Sequence, residues 1–435
     1  MDRRDLKNRP LLKGEQQEKN GKYKGRYEYR YKDRYGERRS VYSWRLTQSD
    51  GLPKGKRPCV PLRDLERQIA EDLHDDIDTY TSKTVTLNER FDLYMENKIN
   101  LKESTATNYK YLYDKHIRNS LGKLKMSDIN TSKIEKFYSE LITEKGFQPS
   151  SVEGIHTILN PVFTKAERDH IIRGNPCSWA MAEIRKLPKW KKPNKIKGLT
   201  GTEQKTFVDY MLSNKAFEKW VNVITVLLGT GMRISELRGL SWEDISFETN
   251  EINLIKQLVY RQWEDEDGVK RCYDKVTDLK TINADRVIPM EPKVREALLK
   301  EKERQKTLPN KNIVIDGYTN WVFLNRFGNV LRAKSTNDAI DKIIEHYNIQ
   351  EKLKAKQEKR KPFFLPHQTN HMLRHTFCTR MIEKCCEPNS KINIKIVQEL
   401  MGHNDAATTL NIYTDVSKEF LHQSMSNIAG EIYLG

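Results

Sequence analysis

The chain has 435 residues, 37% of them hydrophobic, and is long enough to bury the cores of roughly two to four domains. Charged residues make up 31% and the formal net charge is +17, which favours a polyanionic partner such as nucleic acid. The sequence has no run of about 18 apolar residues and no apolar signal-peptide core, so a cytoplasmic location is expected. No membrane partner is expected, because no strongly basic amphipathic helix ends in an aromatic anchor.

The six cysteines form no C-x-x-C pair, so a reduced chain without a metal site is expected. The stretch "GLPKGK" has the wrong spacing for a phosphate loop and no Ser or Thr after Lys56, so an ATP site is rejected. No cofactor is therefore predicted.

The first segment, residues 1–80, predicts a small three-stranded sheet backed by one helix. In "GKYKGRYEYRYKDRYGERRSVYSWRL" aromatic residues alternate with charged ones at the period of two that a half-buried strand requires. Apolar residues at helical spacing follow from Leu62 to Ile77. The basic outer face is either a solvated surface or a DNA-contacting one. The candidate contacts here are Arg26, Arg30, Lys32 and Arg38.

The second segment, residues 83–185, predicts a compact all-α domain. Four stretches with apolar residues at helical spacing follow one another, and one of them, "STATNYKYLYDKHI", begins at a Ser/Thr cap. Residues 186–198, which overlap the stretch "LPKWKKPNKIKGLT", are rich in Lys and Pro and predict an interdomain linker. The linker either passes between two domains that wrap DNA or is an ordinary exposed connection. Lys110, Lys195 and Lys197 are further candidate DNA contacts.

The third segment, residues 199–435, mixes helices with short strands. Helical stretches such as "WVNVITVLLGTGMRISELRGL" precede strand-like "INLIKQLVY" and "DRVIPM". The acidic run "WEDEDGVK" between them predicts a hairpin tip and lacks the pattern of a calcium loop. The end of the chain carries a helix-like apolar stripe at Phe420, Leu421, Met425 and Ile428, which packs either on its own domain or on a neighbouring protomer.

Four separated motifs of the third segment carry residues with chemical potential. They are Arg233 in "TGMRISEL", Lys280 in "LKTINADRVIPM", His371 and Arg374 in "HMLRHTF", and His403 and Tyr413 in "LMGHNDAATTLNIYTDV". In this order and in these contexts they resemble the tyrosine recombinase (lambda integrase) family. The segment "YSWRL…LPKGKRPC" and the overall layout resemble, more specifically, integrases of Gram-positive conjugative transposons.

The resemblance implies a multidomain α+β protein: an N-terminal arm-DNA-binding domain, a helical core-binding (SAM-like) domain, and a mixed, mainly α catalytic domain of the tyrosine recombinase type. It implies a site-specific recombinase that cleaves and rejoins DNA through a 3′-phosphotyrosine, without metal or ATP, to integrate and excise a mobile element. A Xer-like or topoisomerase IB-like strand transferase is the alternative. A regulator that only binds DNA would not need every catalytic side chain.

The chemistry accounts for the residue types. Charge develops on the non-bridging oxygens of the attacked phosphate, and planar guanidinium groups grip two oxygens at once. The resemblance assigns this clamp to Arg233 and Arg374, although an ordinary ion pair of Arg233 with Glu236 or Glu243 is the simpler interpretation of that residue. Glu236, one helical turn after Arg233, is expected to orient it.

The resemblance makes Tyr413 the nucleophile, and a phenol of pKa near 10 needs nearby positive charge or a base to lose its proton. His371 is expected to accept that proton or to bind the phosphate, and His403 to donate a hydrogen bond to the phosphate. Lys280 is the expected general acid for the leaving 5′-oxygen. Its rivals are Lys256, Lys270 and Lys275, while His375 and Cys378 are expected to be packed accessory residues.

The resemblance also implies the partners. Double-stranded DNA is expected to bind at core and arm sites, with the protein acting as a dimer and as a synaptic tetramer on the bacterial nucleoid. An excisionase-type directionality factor is a further possible partner.

Overall fold

The computed structural model describes residues 3–101, 103–188, 190, 198–264, 269–279, 285–309, 312–385, 387, 390–403, 407, 409 and 410. These residues form two compact units, residues 1–194 and residues 195–435. Helices and antiparallel strands occur in both units, so the predicted α+β class is confirmed. Within the described ranges, no helix is both long enough and apolar enough to cross a bilayer.

The chain begins with a three-stranded antiparallel sheet in the order β1-β2-β3, backed by one helix, as predicted. Its elements are β1 (Glu15–Gln17), β2 (Tyr27–Lys32), β3 (Arg38–Ser43) and α1 (Leu62–His74). The small core between sheet and helix is built on Tyr27, Leu46 and Leu62, all of which are buried. The period of two in the sequence therefore selects the face that meets the helix.

A helical bundle completes the first unit. Its helices are α2 (Thr79–Thr84), α3 (Leu87–Glu96), α4 (Glu103–His116), α5 (Thr131–Thr143), α6 (Pro149–Arg168) and α7 (Ala180–Ile184). A reciprocal capping box between Thr86 and Glu89 starts α3. Phe91 and Tyr113 stack in the core with their ring centroids 3.6 Å apart. The sequence predicts the four long helices and misses the short α2 and α7.

The helix that backs the sheet also touches the bundle. The backbone N–H of Asp78 donates to the carbonyl of His170 at 2.7 Å, and Arg173 pairs with Asp72 at 2.9 Å. The boundary near residues 80–83 therefore stays a prediction, because the two parts belong to one compact unit. Of the predicted linker, residue 189 and residues 191–197 lie outside the described residues.

The second unit is mainly helical. Its helices are α8 (Gly201–Ser213), α9 (Glu218–Thr230), α10 (Ile234–Arg238), α11 (Pro292–Gln305), α12 (Ala333–Gln357), α13 (Asn370–Cys385) and α14 (Ile394–Met401). Buried residues of α9, α11, α12 and α13 share one hydrophobic core. The nearly continuous apolar stretch of α9, with Ile224 and Leu227 buried, places this helix at the centre of the unit.

Two small antiparallel sheets lie beside these helices. Their strands are β4 (Ile245–Ser246), β5 (Glu251–Leu254), β6 (Lys256–Glu264), β7 (Lys270–Asp278) and β8 (Arg286–Pro289), paired as β4-β5-β8 and β6-β7. The single strand predicted for "INLIKQLVY" is wrong, because exposed Ile255 separates two strands that belong to different sheets. The β6-β7 pairing confirms the predicted hairpin, and residues 265–268 of its tip lie outside the described residues.

Two glycines end the helices that lead into the candidate site. Gly231 ends α9 with φ +63° and Gly402 ends α14 with φ +58°, both in the left-handed region that favours glycine. Helix α13 packs against both α9 and α14, and β8 lies beside α14. The turns after α9 and α14 are thereby brought to one place.

Candidate active site

Arg233 lies in the turn after α9 and caps α10. Its backbone N–H donates to Oε2 of Glu236 at 2.8 Å, and its Nη1 donates to Oε1 of the same carboxylate at 2.7 Å. Glu236 is only 1% exposed, whereas the side chain of Arg233 is 29% exposed. The structure thus brings together the predicted pair of Arg233 and Glu236, with the carboxylate inside and the guanidinium at the surface. Glu243, the other suggested partner, instead accepts a hydrogen bond from Asn320.

Arg374 projects from α13 into the same region and is 3% exposed. Its Nη1 donates to the carbonyl of Gly231 at 2.9 Å, and its Nη2 donates to the carbonyl of Met401. Burial, followed by the positive charge of Arg233, lowers the pKa of Arg374 to about 9, so the guanidinium stays charged at neutral pH. Both predicted arginines therefore reach one site as cations.

A third arginine, which the sequence reading did not assign to the site, lies beside them. Arg286, the first residue of β8, donates from Nη2 to Oε2 of Glu236 at 2.8 Å and from Nε to the carbonyl of Leu400 at 2.7 Å. Its side chain is 6% exposed. Arg286 lies in the stretch "LKTINADRVIPM", in which only Lys280 is predicted as a site residue.

The carbonyls at the end of α14 hold all three arginines, which we call the arginine cluster (Arg233, Arg286 and Arg374). Three successive carbonyl oxygens each accept a hydrogen bond from a different member. The pairs are Leu400 with Arg286, Met401 with Arg374, and Gly402 with Arg233. The C-terminal end of a helix carries partial negative charge, so these free carbonyls favour cations.

Glu236 supplies the opposing charge within the arginine cluster. Burial by itself raises the pKa of this carboxyl, but the ion pairs with Arg286 and Arg233 outweigh burial and hold the pKa below its usual value. One carboxylate against three guanidinium groups leaves a local excess of positive charge. The arrangement suits an anionic ligand.

His403 follows the cluster directly in the chain. Its Nδ1 lies 2.9 Å from the hydroxyl oxygen of Thr409. Burial first, and then the charges of Arg374 and Arg233, lower its pKa to about 4. The imidazole is therefore neutral near pH 7, and if Nδ1 accepts the Thr409 hydroxyl, Nε2 carries the proton and can act as a donor.

His371 lies one helical turn before His375 on α13, and the two rings meet edge to face at a centroid distance of 4.8 Å. Partial burial of its ring, followed by the charges of Arg374 and Arg233, lowers the pKa of His371, although the residue as a whole is exposed. Cys378 is fully buried and packs with Ile382, Val397 and Met401, which agrees with the packed role expected for it.

Lys280 and Tyr413, the predicted general acid and nucleophile, lie outside the described residues, as does the predicted apolar stripe of the C-terminal tail. Among the rivals of Lys280, Lys256 is buried, and its Nζ donates to the Ser241 hydroxyl at 3.0 Å and to the carboxylate of Asp244. The ammonium of Lys256 is therefore engaged in an ion pair within the fold. Lys270 and Lys275 belong to β7.

The predicted DNA contacts of the first unit divide into two groups. Arg30, Lys32 and Arg38 are exposed on the sheet face opposite α1; we call this the basic face. Arg26 is less exposed, since it pairs with Glu18 and stacks over Tyr23 and Tyr42. Lys110 is exposed on α4, and Lys195 and Lys197 lie outside the described residues.

The sequence reading missed a carboxylate within the same face. Glu28 was expected to alternate outward with the arginines, yet it is 6% exposed. It accepts hydrogen bonds from Arg30 at 3.1 Å and from the Tyr42 hydroxyl at 3.2 Å. Glu28 therefore holds Arg30, much as Glu236 holds Arg233 in the second unit.

Three family descriptions match the sequence. The phage integrase family matches residues 197–419, the DNA binding domain of Tn916 integrase matches residues 1–73, and the phage integrase N-terminal SAM-like domain matches residues 86–142. The transposases from transposon Tn916 of Enterococcus faecalis and from transposon Tn1545 of Streptococcus pneumoniae are each 30% identical over 429 residues, covering 99% of this chain and 97% of the relative.

A solved structure is similar over most of the chain. The Tn1549 transposon integrase in complex with a circular intermediate DNA is 26% identical, with a TM-score of 0.64. The match covers 79% of this chain and 100% of that one.

The depressed pKa of His403 can be measured directly by NMR titration of the full chain labelled with ¹³C at histidine Cε1, with His403→Gln to assign its signal. We expect a midpoint near pH 4 instead of 6.5. Because the unfolded chain binds this proton more readily, the stability that neutral His403 contributes is complete above about pH 6.5 and declines as the pH falls through about 4.

Arg233→Gln provides the internal control for this titration. Removing one nearby positive charge should raise the midpoint of His403. A midpoint near 6.5 that does not respond to this variant would contradict the described environment of His403.

Proposed function

Because the chain belongs to the phage integrase family, we propose that it is a site-specific DNA recombinase of the tyrosine type that integrates and excises a conjugative transposon or a related mobile element. The observation that carries this proposal is the convergence of the arginine cluster and His403 at the end of α14. Such a group of cations and neutral imidazole fits a DNA phosphate at the point of reaction.

The reaction consists of two transesterifications. The Tyr413 oxygen attacks the scissile phosphorus, forms a 3′-phosphotyrosine bond and breaks the bond to the 5′-oxygen, which leaves as a hydroxyl. In the reverse step, the 5′-hydroxyl of a partner strand attacks the phosphotyrosine and releases Tyr413. The number of phosphodiester bonds is unchanged, so rejoining needs no ATP.

Arg233 and Arg374 bind the non-bridging oxygens. A guanidinium has five N–H bonds, and the contacts of each arginine within the described residues leave N–H groups for further acceptors. A phosphate would meet cations that are already held in place by backbone carbonyls, so little reorganisation is needed as negative charge develops. The arginines thereby perform the charge neutralisation that a divalent metal performs in other phosphoryl-transfer sites, and no metal is required.

The remaining groups handle protons. Neutral His403 donates a hydrogen bond to the phosphate through Nε2, and His371 accepts the phenolic proton or binds the same phosphate. Lys280 gives its proton to the leaving 5′-oxygen. The ion pair that Lys256 makes with Asp244 supports this choice over Lys256.

DNA is bound at more than one place. The second unit with the helical bundle takes the core site, and the basic face takes arm DNA, as supported by the match of residues 1–73 to the DNA binding domain of Tn916 integrase. This additional domain favours a transposon integrase over a Xer-like or topoisomerase IB-like enzyme. Exchange between two duplexes requires a cut in every strand, which favours a dimer on each site and a synaptic tetramer. We further propose that a directionality factor takes part in the reaction and that the protein acts on the bacterial nucleoid.

The nucleophile is tested by replacing Tyr413 with Phe. On a nicked suicide DNA carrying the element ends, wild-type protein should form a covalent protein–DNA adduct, and Tyr413→Phe should bind the DNA without forming any. Loss of the nucleophile removes a factor of at least about 10³ in rate, since no other group replaces the attacking oxygen.

Tyr318→Phe serves as the matched control, because this tyrosine of the second unit is 43% exposed and lies outside the site. It should form adduct at the wild-type rate. Unaltered strand exchange by Tyr413→Phe would reject the assignment of the nucleophile.

The basic face is tested by replacing Arg30, Lys32 and Arg38 together with Ala. Measuring the affinity of the full-length protein for duplex DNA over a series of salt concentrations should show weaker binding and a log–log salt slope reduced by up to about 3, since each lost phosphate contact removes about 0.9. The charge-matched control replaces three exposed lysines of nearby loops, Lys13, Lys19 and Lys24. If both triple variants lost the same DNA affinity, the loss would come from the change in net charge and not from the basic face.

A further inference from the structure

Arg286 connects three segments that the candidate site needs. It is the first residue of β8, it pairs with Glu236 of α10 at 2.8 Å, and it donates to the carbonyl of Leu400 at the end of α14 at 2.7 Å. A second contact with Glu236, from Nη1 at 3.3 Å, makes the pairing bidentate. With its side chain 6% exposed, Arg286 is an interior bridge and not a surface ion pair.

The neighbouring backbone is shaped around this guanidinium. A Cβ added at Gly402 would lie 2.9 Å from Nη1 of Arg286 and 3.3 Å from its Cζ. Gly402 also needs its left-handed φ of +58° to end α14. The turn that leads to His403 therefore fits closely over Arg286, and a change in either would displace the other.

Arg286 also determines what Glu236 can do for Arg233. Glu236 uses both of its oxygens, and each oxygen meets both arginines: Oε1 contacts Arg233 and Arg286, and Oε2 contacts the Arg233 backbone and Arg286. The carboxylate is held on one side by Arg286 and on the other by Arg233. Without Arg286, the buried carboxylate of Glu236 would keep only Arg233 as an ion-pair partner. The two side chains could then rotate together, and Arg233 would lose its present orientation.

We propose that Arg286 is a positioning residue for DNA cleavage, which fixes Arg233 through Glu236 and fixes His403 through the turn after α14. This inference rests on the proposed function and deepens it, because it assigns the reaction a third arginine that does not itself contact the phosphate. A bridge from β8 to α10 and α14 ties the strand that follows the Lys280 segment to the two elements that carry Arg233 and His403.

The same unit contains another arginine that pairs with a buried carboxylate and donates to a backbone carbonyl away from the site. Arg304 pairs with buried Glu301 through Nε and Nη2 and donates from Nη2 to the carbonyl of Leu324 at 2.7 Å. Its carboxylate partner lies three residues earlier on the same helix, α11, and the carbonyl of Leu324 joins that helix to a separate segment. Substitutions at Arg304 therefore report what the loss of such a bridge does to the fold alone.

The test compares Arg286→Lys and Arg286→Met with Arg304→Lys and Arg304→Met in the full-length protein. A lysine cannot reproduce the fork that reaches a carboxylate and a carbonyl together. At saturating suicide DNA, we expect the Arg286 variants to cleave at least about tenfold more slowly while their DNA dissociation constants stay within about twofold, since small misplacements of catalytic groups cost rate more than binding. The Arg304 variants should cleave at the wild-type rate, even where their melting temperatures fall by as much as those of the Arg286 variants.

A second substrate separates positioning from a general loss of structure. A methylphosphonate at the scissile position replaces one non-bridging oxygen by a methyl group and removes the negative charge that the two oxygens share, so the orientation of Arg233 matters less to its cleavage. The penalty of Arg286→Lys relative to wild type should shrink to within about threefold on this substrate, because the misplaced interaction is one the substrate no longer makes. A merely structural defect would carry the same penalty on both substrates.

The outcomes are distinguishable. If wild-type protein forms no covalent adduct, the proposed function fails. If wild-type protein forms the adduct and the Arg286 variants cleave as fast as the Arg304 variants, or lose the same factor on phosphate and methylphosphonate, the role of Arg286 fails while the proposed function stands.

Discussion

The end of α14 is the feature on which the candidate site depends. Three successive backbone carbonyls, those of Leu400, Met401 and Gly402, each hold a different arginine. A helix terminus cannot satisfy its last carbonyls internally, and here their need for donors gathers three guanidinium groups from distant parts of the chain. Because backbone carbonyls carry no net charge, the gathered cations keep a net positive charge for an anionic ligand.

Placing three guanidinium groups close together in a buried region costs free energy, and one buried carboxylate reduces that cost. Burial is the main cause of the lowered pKa of Arg374 and of His403, and repulsion by the neighbouring positive charges is the next. Glu236 offsets part of that repulsion and orients Arg233 and Arg286 at once. The left-handed Gly402 after α14 allows its turn to approach Arg286 closely, and the left-handed Gly231 after α9 leaves room for the ring of Phe377. Electrostatics and backbone geometry together determine the site.

Residue order and local context predict much of the fold and part of the site. The α+β class, the basic sheet, the helical bundle and the pairing of Arg233 with Glu236 all follow from patterns that act within a few residues. Arg286 could not be found in this way, because its partners at Glu236 and Leu400 are 50 and 114 residues away in the chain. Glu28 was misjudged for a related reason: a period of two assigns it a face but does not reveal the cross-strand donors that bury it.

The most direct test of this account is a structure of the full-length protein on suicide DNA, measured at the scissile phosphate. We expect the guanidinium groups of Arg233 and Arg374 and Nε2 of His403 to lie within about 3.2 Å of its non-bridging oxygens, while the carbonyls at the end of α14 still hold Arg286. A scissile phosphate bound more than about 6 Å from both guanidinium groups, beyond direct or water-bridged contact, would contradict it.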